Sequence, residues 1–161
     1  MDWQILKEKT YYWDGSWRDI YVQNTTIEHW RIWTDYVNEN YKIDWFNGKE
    51  NTDQNKIDFT VILEYWNGNL DLCSTAKVFI GNIQINAHFF DDNEFENDID
   101  PREFNRIEDH IKLTKYITDL SKLFEKEVIL TPENEHETVL LKVFGDNISY
   151  NSGIDPSKWV V

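Results

Sequence analysis

Residues 76–90, AKVFIGNIQINAHFF, constrain the fold most. Apolar side chains alternate with polar ones on either side of Gly81-Asn82, and Ile83, Ile85, Ala87 and Phe89 share one parity. A period of two bracketing a glycine-containing dipeptide specifies a two-stranded hairpin with one buried face. Hairpins join antiparallel neighbours directly, whereas parallel strands need long crossovers.

The same punctuation recurs along the chain. Trp3 to Lys9 reads as a first strand, and Trp17 to Gln23 as another, with Ile20 and Val22 on one face and Asp19, Tyr21 and Gln23 on the other. Lys42 to Phe46 and Ile57 to Trp66 follow as strands. The second has Ile57, Phe59, Val61, Leu63 and Tyr65 on one parity and ends at the turn signal Asn67-Gly68. Glu127 to Thr131 is a short buried strand, and residues 138–144 and 147–150 form a last hairpin around Gly145-Asp146.

Two segments carry helical spacing. Thr25 and Glu28 have the separation of a capping box before a stripe of Ile27, Trp30, Trp33 and Val37, which predicts a helix over about 26–40. Asp100 is placed to cap a helix that has Pro101 first, Glu103 third, and Phe104, Ile107, Ile111, Ile117, Leu120 and Phe124 inward, over about 101–126. The expected fold is α+β: a mostly antiparallel sheet of about six to eight strands with two helices on one face. At 161 residues the chain is expected to be one domain, with a tail from about residue 152 that frays or docks through Trp159.

Function is bounded by charge. Thirty acidic residues face 16 basic ones, a formal net charge of −14. That field repels phosphates, so nucleic acid is not an expected partner. It favours encounter with a basic protein instead. Cys73 is the sole cysteine, which favours a reducing compartment. The first ten residues lack the apolar core of a signal peptide, and no apolar run reaches the roughly 18 residues of a membrane span. A cytoplasmic protein without membrane contact is expected.

No catalytic or metal motif stands out. Counted from Asp92, residues 92–103 place acids at alternate positions as a calcium loop does, but Asn97 replaces the turn glycine, Glu96 is too long for its position, and a strand precedes. A solvated acidic loop feeding a helix is the expected structure. His29, His88, His110 and His136 have no metal-ligand spacing among them. Asp14, Asp19, Asp44 and Glu64 supply carboxylates for glycoside chemistry, yet no spacing selects two of them. The ring-rich stretch YYWDGSWRDIY, residues 11–21, reads either as core beneath the helix bearing Trp30 and Trp33 or as an exposed patch. No cofactor is implied.

Three segments together, SWRDIYVQNTTIEHW, DIDPREF and LFEKEVILTPENEHE, resemble small bacterial immunity-type proteins associated with polymorphic or contact-dependent toxins. The resemblance spans about Trp13 to Glu137 and lies in the order and texture of the elements. It implies a non-catalytic inhibitor that neutralises a cognate toxin by direct binding, the partner being a basic toxin domain. The residues expected to meet it are Asp91, Asp92, Glu94, Glu96 and Asp98 as charges and Tyr11, Tyr12, Trp13 and Trp17 as anchors. Two other classes fit the residues: a small-ligand or glycan-binding module, or an enzyme on such a scaffold, stacking on the tryptophans; and a nucleic-acid mimic aimed at a defence enzyme.

Overall fold

The computed structural model describes residues 2–69 and 75–151. In chain order the elements are α1 (Trp3–Lys9), β1 (Arg18–Gln23), α2 (Ile27–Asn40), β2 (Lys42–Asn47), β3 (Thr52–Gln54), α3 (Phe59–Trp66), β4 (Ala76–Ile80), β5 (Ile83–His88), β6 (Glu94–Ile99), a 3-10 turn (Pro101–Glu103), α4 (Ile107–Phe124), β7 (Val128–Pro132), β8 (Leu141–Phe144) and β9 (Asn147–Tyr150). The class is α+β with antiparallel pairing, as expected. It contains nine strands and four helices among the described residues, against the six to eight and two read from sequence. Cys73 and Trp159 lie outside the described residues.

The chain forms two compact units, one of residues 22–97 and one of residues 1–21 with 98–161. In the first, β3, β2, β4, β5 and β6 lie in that order. The β4–β5 hairpin turns at Gly81-Asn82 with Ala76 opposite Ala87 and Val78 opposite Ile85, which is the register the alternation predicts. Its core is aromatic. The Trp30 ring sits 4.5 Å from Phe95, 5.3 Å from Phe89, and edge-on to Trp33 and Trp66 at 5.6 and 5.7 Å. Such tilted and edge-on pairs satisfy the ring quadrupoles while burying large areas. The rings that surround Trp30 are those of Trp33, Trp66, Phe89 and Phe95. In the second unit, β1, β7, β8 and β9 follow one another, with Ile20 opposite Leu130 and Val143 opposite Ile148. Helix α4 packs on β7 and β8, burying Leu113, Tyr116, Ile117, Leu120 and Phe124, whereas Ile111, expected to face inward, is exposed.

Four local readings fail for identifiable reasons. Residues 3–9 are helical because the Asp2 carboxylate accepts from the amides of Gln4 and Ile5 at 2.9 and 3.3 Å. Residues 59–66 are also a helix. Asp58 caps it through Thr60 N at 3.0 Å, and its buried residues are Phe59, Val61 and Ile62. A short apolar run satisfies periods of two and 3.6 equally. Asn67-Gly68 then ends a helix, with Gly68 at φ +78°, a left-handed conformation that suits glycine. The cap of α2 is Thr26 paired with His29, one residue later than Thr25 and Glu28. The expected 101–126 helix starts as a 3-10 turn capped by Asp100 and becomes α-helical only at Ile107.

Candidate functional site

The acidic run differs most from expectation, because Glu94–Ile99 is a strand and not a loop. Its alternation sorts the side chains. Phe95, Asn97 and Ile99 are fully buried, Phe95 against Trp30 and Trp33 of α2. Glu94, Glu96 and Asp98 therefore project from the face opposite α2, half-buried and spaced roughly 7 Å apart as alternate residues of a strand must be. On β5, next to β6, Asn86 lies opposite Lys77 of β4 and Gln84 opposite Phe79.

Asp91 and Asp92 form the turn just before β6. Their two carboxyls divide: the Asn93 amide donates to Asp91 at 3.1 Å and holds it below the usual carboxylate range, while the neighbouring Asp91 carboxyl pushes Asp92 up. The turn is anchored by Thr25, whose hydroxyl donates to Asp92 O at 2.7 Å and whose amide donates to Asn93 O at 3.0 Å. Beside it Phe90 is 68% exposed, stacked on His88 at 5.2 Å between centroids. Phe90 was overlooked in the sequence, although its parity, one off the buried series ending at Phe89, marks it as outward-facing.

The aromatic stretch of residues 11–17 divides. Tyr11 is buried, stacked on Phe104 at 4.2 Å, and cannot serve as a surface anchor. Tyr12 and Trp17 are half-buried, and Trp13 is 47% exposed. Arg18 organises them: its fully buried guanidinium donates to the carbonyls of Thr10 at 3.0 Å, Ser16 at 3.0 Å, Trp17 at 3.1 Å and Tyr12, and it lies 4.3 Å from the Tyr12 ring.

The carboxylates that might have paired for glycoside chemistry have other roles. Asp19 is buried and accepts from Tyr21 Oη and Asn134 N, both at 2.7 Å. Glu64 holds Lys49 at 2.7 Å, and Asp14 accepts from Ser16. Asp44 is exposed on β2. Among the described residues no group of three or more His, Cys, Asp or Glu is placed to hold a metal ion. No helix among them is long and apolar enough to cross a membrane.

A buried polar chain also escaped sequence reading, since its members lie far apart in the chain. Tyr11 Oη meets His110 Nδ1 at 2.6 Å, and His110 Nε2 meets Tyr150 Oη at 2.9 Å. A neutral imidazole has one donor and one acceptor nitrogen, so one tyrosine donates to it and the other accepts. Burial pushes His110 down to about 4 and both phenols upward. Between pH 6.5 and about 4 the unfolded chain binds a proton here that the folded chain refuses. Stability contributed by neutral His110 is complete above 6.5 and falls with pH, by about 3 kcal/mol at pH 4. The difference in unfolding free energy between native protein and a His110→Gln variant should change by that amount from pH 7 to 4. Parallel curves would rule out this assignment.

No protein-family model matches the chain, and neither a curated protein nor a solved structure is detectably similar to it.

Proposed function

We propose that the chain is a non-catalytic acidic binding protein, an immunity-type inhibitor that neutralises a cognate toxin by covering a basic surface of it. The observation that carries this reading is the side-chain ladder of β6, Glu94, Glu96 and Asp98, set on a strand whose other face is locked into the aromatic core. Charges on a rigid strand hold their spacing, so a cationic surface meets them with little loss of side-chain freedom. Asp91, Asp92 and Phe90 extend the ladder into a turn pinned by Thr25. An exposed ring next to charges suits an interface, where an aromatic anchor supplies affinity and the charges supply rate and selectivity. The role needs no reaction at any residue of this chain.

Affinity capture from the native host identifies the partner. A Glu94→Gln, Glu96→Gln, Asp98→Asn triple variant should bind that partner at least about tenfold more weakly, the loss growing as salt is lowered. Unchanged affinity in the triple variant would remove β6 from the interface, and capture of no protein at all would count against the inhibitor reading.

A further inference from the structure

We infer that Trp13 is the seat for an arginine side chain of the protein partner. This rests on the binding role proposed above and adds to it the chemistry of one contact. Three observations converge on Trp13. The ring is 47% exposed although it is among the largest apolar side chains of the molecule. It is held in place, because Arg18 pins the backbone on both sides through the carbonyls of Thr10, Tyr12, Ser16 and Trp17. It already stacks a guanidinium: Arg102 lies 4.0 Å from the Trp13 ring centroid.

Arg102 does not make the spot cationic. Its Nε and Nη2 donate to both oxygens of Asp100 at 2.8–3.2 Å, a fork-to-fork pair that matches its charge. The next residue along, Asp14, is exposed; its carboxylate accepts from the hydroxyl and amide of Ser16 at 2.6 and 3.1 Å and lies 3.7 Å from Arg18 Nη1, contacts that fix its direction and leave its outer side to solvent. An electron-rich ring with a fixed carboxylate one residue away, on a chain of net charge −14, selects a planar cation. Arginine fits better than lysine. Its guanidinium is flat, less strongly hydrated and able to stack while it pairs a carboxylate. Pre-fixing the ring and the carboxylate also removes ordering costs that an adaptable loop would incur on binding.

The test uses the full chain labelled with nitrogen-15 and two capped peptides, tri-arginine and tri-lysine, at equal ionic strength. The Trp13 indole resonance should shift saturably with tri-arginine, which should bind at least about threefold tighter than tri-lysine. In Trp13→Ala, followed at the Asp14 amide, tri-arginine should bind about fivefold more weakly, and Trp13→Phe should recover part of the loss. Equal binding of the two peptides, or shifts spread over the acidic surface and unaltered in Trp13→Ala, would overturn the inference. The peptides need no natural partner, so this result stands apart from the capture experiment. A Trp13→Ala chain that holds its captured partner at full strength would refute the arginine seat and leave the inhibitor reading in place.

Discussion

Replacing Arg18 with alanine is expected to destabilise the unit of residues 1–21 and 98–161 by about 3–5 kcal/mol. Two losses add. The guanidinium satisfies four backbone carbonyls between Thr10 and Trp17, and an unpartnered buried carbonyl costs about 1–3 kcal/mol. The side chain is also fully buried, so truncation opens a cavity beneath the Tyr12 ring. Lysine restores the charge but not the fork. Its single ammonium cannot reach carbonyls on opposite sides of the loop, so Arg18→Lys should regain less than half the loss. Denaturant unfolding measures both variants. A cost under about 1 kcal/mol for Arg18→Ala would mean that the loop is held by something else.

Trp30→Ala is expected to cost a similar amount, about 3–5 kcal/mol, in the unit of residues 22–97. Trp30 touches Trp33, Trp66, Phe89 and Phe95, so its removal leaves a hole that four rings cannot collapse to fill. Among the described residues the indole N–H has no hydrogen-bond partner. Trp30→Phe therefore loses volume without losing a bond and should cost about 1–2 kcal/mol. The consequence reaches function: Phe95 rests on Trp30, and the same strand carries Glu94 and Glu96 outward. A chain lacking this indole should lose affinity for its partner together with stability. Equal costs for Trp30→Ala and Trp30→Phe would show that the indole nitrogen, and not the packed volume, matters.

Much of the fold was legible because strong local signals agree with tertiary packing. Gly81-Asn82 and Gly145-Asp146 sit between runs whose alternation matches the observed registers, and of the expected stripe Trp30, Trp33 and Val37 are buried in α2 while Ile27, in its first turn, is exposed. Residues 57–66 misled because IDFTVILEYW is too short and too uniformly apolar to reveal its period, and Asp58 settled the matter as a cap. The acid run misled in the opposite way. Acid density suggests solvent, yet Phe95 and Ile99 alternate with the carboxylates, and that pattern makes the segment a strand with one side sunk in the core. Of the candidate anchors, composition could name the rings at 11–17 but could not sort them. The buried partner Phe104 takes Tyr11, and Arg102 clasps Trp13, both roughly ninety residues away.

The binding role proposed for this protein is the presentation of fixed negative charge to a basic protein surface. Its most direct test is the association rate with the captured partner as salt rises from about 50 to 500 mM, which shortens the screening length about threefold. The rate constant should fall at least about tenfold across that range, and the Glu94→Gln, Glu96→Gln, Asp98→Asn chain should show a visibly shallower fall. A rate indifferent to salt, equal in the native and neutralised chains, would contradict the claim.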